Sequence, residues 1–332
     1  MGGSYSQEDY LRSAFDIYGD VLRYEPCFLP DIGIDESLLK YSGSDSNAAL
    51  QAFSNEMINT VPGYVHSLGS AFGALTSVPN AVGLGALVIS MIIEIAVKTS
   101  AQTSDDTYSL LRRVFGEEKA SSVRDKMSEF LKRHEIYMNN DQRLREELRR
   151  LEHQLSDHLT ALRNSLKLDG QMRSRGFKIW VNGAAFHVQM LIHEARLDIQ
   201  DVQTSKPASD YVKEIKAAID VYLRYLDHLL EKYKTYKINS DEFSCGTLFF
   251  CMNLENICKM YNNEIEGCSI KVHGIPPEPC SYGKEVMAAF MDIVYSNYEP
   301  IKGLKSYFSN IKNNLNSLIR ERGSFTVPSA AG

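Results

Sequence analysis

The chain has 332 residues, 44% of them hydrophobic and 23% charged, with a formal net charge of -6. Its 14 Phe and 18 Tyr can fill a core, which excludes wholesale disorder. The slight acidity excludes a strongly basic nucleic-acid binder, so no nucleic-acid partner is expected.

The first 60 residues read as acidic N-terminal helices and a loop. Tyr10, Leu11, Phe15, Tyr18 and Leu22 fall at helical spacing, and Pro26, Pro30, Gly33 and Gly43 mark a loop over 26–45. A short helix follows from Asn47 to Ile58. Residues 1–25 lack a basic n-region and an apolar run, so no secretory signal is read there. No Asn-x-Ser/Thr sequon occurs either, and a cytoplasmic chain with reversible membrane association is expected. Met1-Gly2 with Ser6 fits the acylation pattern that would place myristate on Gly2. A leading Gly-Gly-Ser is also what an expression linker looks like.

Residues 57–93 contain no Asp, Glu, Lys or Arg. At the chain's 23% charge, such a window should hold about eight. Pro62-Gly63 opens the segment and Ser77-Val78-Pro79-Asn80 interrupts it, which predicts two apolar helices, Tyr64–Thr76 and Ala81–Val97. Residues 61–98 therefore form an apolar helical hairpin. Gly69 and Gly73 make a GxxxG pattern, and such small-residue faces suit close helix packing in lipid. The residues assigned to membrane insertion are Leu68, Gly69, Phe72, Gly73, Leu75, Leu84, Leu87, Ile89, Ile92 and Ile93. Glu94 is the one charge inside the second apolar helix and a candidate pH switch. The bland reading of the same segment is a buried core hairpin.

Residues 99–240 predict a bundle of long helices: Asp105–Phe115, Glu117–Met138, Asp141–Leu168, Phe177–Val202 and Asp210–Lys237. In the third, Leu144, Leu148, Leu151, Leu155, Leu159, Leu162 and Leu166 recur at near-heptad spacing with Arg and Glu on the flanks. That stripe predicts either a coiled-coil dimer or, with more helices in the same chain, the seam of an intramolecular bundle. Residues 241–332 read as a Cys-containing C-terminal helical extension. Its helices are Phe243–Tyr261 and Glu285–Arg322, the latter kinked at Pro300, with a loose tail from Gly323.

Five of six Cys lie in this last third: Cys245, Cys251, Cys258, Cys268 and Cys280. No CxxC spacing supports a zinc site, and reduced buried thiols are expected over disulfides. No GxGxxG, GxxxxGK[ST], HExxH or GxSxG occurs. His187 and His193 are six apart, on opposite sides of a helix, which makes joint metal ligation awkward. Trp180 reads as a packing anchor. No catalytic residue, metal or cofactor is expected, and the chain is not read as an enzyme.

The hairpin Val61–Val97 beside the charged helices from Asp105 to Lys237 resembles the α-helical pore-forming proteins of the cytolysin A and haemolysin BL type. The run Phe177–Leu197, FKIWVNGAAFHVQMLIHEARL, resembles uncharacterised helical proteins of bony fishes. The first resemblance implies an all-α, elongated bundle of long helices with one apolar helical hairpin. Its partner is then a lipid bilayer, with self-association into a pore. The alternative is a soluble cytosolic scaffold or adaptor whose hairpin is core.

Overall fold

The computed structural model describes residues 6–100, 122–168, 172–201, 206–250, 253–272 and 283–329. The chain is mostly helical, with eleven α-helices and a few short strands among the described residues. Two compact units form. The first gathers Met1–Gly33, Leu166–Phe177 and Asp227–Gly303; the second gathers Ile34–Ser165, Lys178–Leu226 and Leu304–Gly332.

In the first unit, α1 (Gln7–Arg23) starts at a capping box, where the Ser6 side chain and backbone exchange hydrogen bonds with Asp9. Its face of Ala14, Ile17 and Val21 is buried, and α1 packs on α10 (Gly283–Asn297). Three antiparallel strands, β2 (Glu242–Phe250), β3 (Asn253–Tyr261) and β4 (Ser269–Val272), run in the order β2-β3-β4. This corrects the helix expected over Phe243–Tyr261. Phe243, Thr247, Phe249, Phe250, Ile257 and Tyr261 favour a pleated strand, whereas the seven-residue spacing of Cys251 and Cys258 along the sequence mimics a helical period. Register sets Glu242 opposite Tyr261 and Cys245 opposite Cys258. Cys251 and Cys280 lie outside the described residues.

Cys27 and Cys268 form a disulfide across a separation of 241 residues, and Cys258 is disulfide-bonded as well. The expectation of reduced thiols is overturned at these positions. Beside the bridge, Asn262 donates to the Cys27 carbonyl at 2.8 Å and accepts from Lys237 Nζ at 3.3 Å. Lys237 pairs with Asp241 at 2.8 Å, and both side chains are 2% exposed. Buried this deeply, each charge depends on the other.

The second unit holds α2 (Glu36–Tyr41), α3 (Ser46–Thr60), α4 (Tyr64–Phe72), α5 (Leu84–Ser100) and α6 (Ser122–Tyr137). It also takes most of α7 (Asp141–Leu168), α8 (Ser174–Gln200) and α11 (Glu299–Leu318), and the first part of α9 (Ala208–Ser240). Six stripe leucines of α7 are buried and Leu162 half-buried, as an intramolecular seam requires. The predicted Asp141–Leu168 helix is matched at both ends. The expected Asp105–Phe115 helix and the start of Glu117–Met138 lie outside the described residues. Glu285–Arg322 is two helices, because Pro300 occupies the first turn of α11, where its missing N–H is harmless. The tail is not loose throughout. Strand β5 (Ser324–Thr326) pairs with β1 (Ser77–Pro79) at Val78 and Phe325, both fully buried. The expected interrupting turn thus contains a strand, and α4 and α5 are joined through it rather than by a plain turn.

Candidate functional site

The first ten residues of α5, Leu84–Ile93, follow from a run with no charged face. A helix that is apolar all round must be enclosed, and every residue from Ala81 to Ile93 is buried. Two glycines let neighbours come close to its start. Gly83 sits at φ +61, and a Cβ there would meet Arg196 Nη1 at 2.6 Å. At Gly85 a Cβ would lie 2.1 Å from the Asn80 carbonyl oxygen and 3.6 Å from His193 Cε1. Ser46 Oγ accepts from the Gly83 N–H at 2.7 Å.

Near the start of α5 stand Arg196 and His193, both buried, and His193 in turn faces a third buried protonatable side chain, His134. Arg196 of α8 donates through Nη1 to the Val82 carbonyl and through Nε to the Leu318 carbonyl, the latter at 2.5 Å. Its Nη2 lies 3.5 Å from Glu321 Oε2 with no hydrogen bond made by either atom. Burial pulls the guanidinium down to about 10, and the Glu321 charge opposes this. Burial in turn pushes the Glu321 carboxyl up, with Arg196 opposing and Asp45 reinforcing. His134 of α6 and His193 of α8 face one another with ring centroids 5.8 Å apart. Neither His193 nitrogen has a hydrogen-bond partner, nor does His134 Nδ1. Burial lowers His134 to about 4. It holds His193 well below the usual imidazole value, and the charges of His134 and Arg196 add to the effect. Both rings are therefore neutral at pH 7.

The membrane-insertion residues divide. Leu84, Leu87, Ile89, Ile92 and Ile93 of α5 are buried, as are Leu68 and Phe72 of α4. Leu75 is half-buried. Gly69 and Gly73 are exposed, with open space where a Cβ would stand, so GxxxG forms no close helix contact among the described residues. Gly73 instead caps α4 at φ +62, a backbone conformation that favours glycine. Glu94 is half-buried, and its charge adds to the burial that pushes the Tyr41 phenol up to about 12. Gly2 lies outside the described residues. Sequence reasoning passed over Arg196 and His134. The one available signal was a lone Arg closing the apolar run FKIWVNGAAFHVQMLIHEAR.

A second polar cluster joins α7, α8 and α9. His187 Nε2 is 2.6 Å from Glu152 Oε1, and its Nδ1 is 3.1 Å from the Tyr222 hydroxyl. Burial would raise the Glu152 carboxyl, but the His187 hydrogen bond and the charges of His187 and His153 hold it below the ordinary value. With both His187 nitrogens engaged, no free base is presented. Among the described residues no group of His, Cys, Asp and Glu is placed to hold a metal ion. No helix among them is long and apolar enough to cross a membrane. No protein-family model, curated protein or solved structure matches the chain, so its reading rests on fold and site.

Proposed function

We propose that this is a non-enzymatic, membrane-active helical protein that stores α5 in its second unit and releases it to a bilayer, self-associating there. One observation carries this reading: the Leu84–Ile93 stretch of α5 is buried throughout, and its start lies against Arg196 and His193, whose buried polar atoms are incompletely hydrogen-bonded and make the stored position conditional. Burying polar groups without full hydrogen bonding costs ~1–3 kcal/mol each, which leaves the stored state open to a trigger. The 17 residues of α5 span ~25 Å, short of a ~30 Å hydrocarbon core, so insertion needs a partner helix or a thinned bilayer. The Cys27–Cys268 bridge favours an oxidising compartment over the cytoplasmic one read from the sequence.

The second reading is a soluble scaffold with α5 as permanent core, favoured by the complete burial of Leu84–Ile93. Flotation with anionic liposomes at pH 7.4 and 5.0, with hydrogen exchange on the floated protein, separates the two. Release predicts flotation at pH 5.0 and altered protection over residues 84–93. A folded chain that stays soluble at both pH values, with α5 fully protected, refutes release and establishes the scaffold.

A further inference from the structure

Helices α7, α8 and α9 enclose a groove of about 260 Å³ within the second unit, away from α5. Its lining includes Trp180, His187, Tyr222, Leu159, Tyr225 and Arg163. The first four are buried and preorganised. His187 is held between Glu152 and Tyr222, and the Trp180 ring meets the Tyr222 ring edge-on at 6.0 Å. That part is aromatic and rigid, and the polar atoms of His187 and Tyr222 already have partners.

Arg163 differs from the other groups. Its guanidinium carbon lies 3.9 Å from the Tyr225 ring centroid, and one Nη donates to Asn164 Oδ1 at 2.9 Å. Its Nε is buried with no acceptor, and no carboxylate pairs with the residue among those described. Stacking on a ring holds a guanidinium flat and leaves its donor edge free for a planar anion. Arg–carboxylate contacts of this kind are frequently bidentate. A cavity near 260 Å³ falls below the ~300–1,000 Å³ of drug-sized sites, which limits the occupant to one small ring.

We infer that this groove binds a small monocyclic aromatic carboxylate, with its ring against Trp180 and Tyr222 and its carboxylate on Arg163. The site is independent of the proposed membrane activity. Trp180 is the sole tryptophan of the chain, so its emission reports on the groove directly. The full chain is titrated with benzoate, benzylamine and inorganic phosphate, by calorimetry and by Trp180 emission. Benzoate should bind saturably and change the emission; benzylamine has the ring but the wrong charge, and phosphate has the charge but no ring, so both should bind about tenfold more weakly or not at all. Arg163→Gln should weaken benzoate about tenfold at unchanged melting temperature, and Arg163→Lys should keep part of the binding. Tyr225→Leu, which removes the stacking ring, should weaken benzoate as well and stands in if Arg163→Gln misfolds. The inference is overturned by the absence of saturable benzoate binding, by equal binding of benzylamine, or by wild-type affinity in folded Arg163→Gln or Tyr225→Leu.

Discussion

Acidification should weaken the second unit through the two buried histidines. A histidine kept neutral in the fold but free to protonate when unfolded contributes its full stability above the unfolded pKa. That stability is lost as pH falls from there towards the folded value. For His134 the window runs from ~6.5 in the unfolded chain down to about 4 in the fold. Each pH unit inside it removes ~1.4 kcal/mol, so His134 alone costs ~2 kcal/mol at pH 5. His193 acts in the same direction, since its value is lowered too. Against a total of ~5–15 kcal/mol for an ordinary domain, the loss is large. The charged groups that disfavour protonation of His193 are Arg196 and a protonated His134, whereas burial alone lowers His134. Glu321 and Glu194 have raised values and oppose the loss, because they take up protons in the fold as pH falls. The test is urea unfolding at half-unit pH steps for wild type and His134→Leu. The substitution removes one titrating ring and leaves the carboxylates, so the variant's stability should fall less steeply between pH 6 and 5 by ~1.4 kcal/mol per unit. Parallel profiles would refute the burial argument and the acid release built on it.

Leu155→Ala should cost ~2–5 kcal/mol in denaturant melts, because Leu155 is 1% exposed inside the α7 seam; a loss under about half a kilocalorie would show the stripe to be peripheral. Arg196→Leu should cost ~2–5 kcal/mol, since it strands the Val82 and Leu318 carbonyls, and a neutral result would mean water or another donor serves them. Reducing the Cys27–Cys268 bridge, or replacing Cys27 by Ser, should lower stability by ~2–5 kcal/mol, and an unchanged melting temperature would count against a bridge that closes so long a loop. Glu94→Gln should leave the pH profile of liposome binding as in wild type if the histidines carry the trigger; a flattened profile would return that role to Glu94.

What the amino-acid sequence determined was local. The α7 boundaries were legible because its leucine spacing and flanking charges repeat every three or four residues. Helices α8 and α9 were legible to within a few residues for the same reason. The charge-free run at 57–93 announced an enclosed helix, although its composition is equally suited to protein core and to lipid, so it could not say which encloses α5. Tertiary structure alone decided the rest. The β2–β3 hairpin depends on partners in register, which outweighed a Cys spacing that fits a helix. Pairing of Val78 with Phe325, and of Cys27 with Cys268, joins positions more than 240 residues apart, and no local pattern marks such partners. The buried Arg196, His134 and His193 were hidden for a related reason. Burial of a polar side chain is a property of everything packed around it, and one helix in isolation gives each of these residues a route to water.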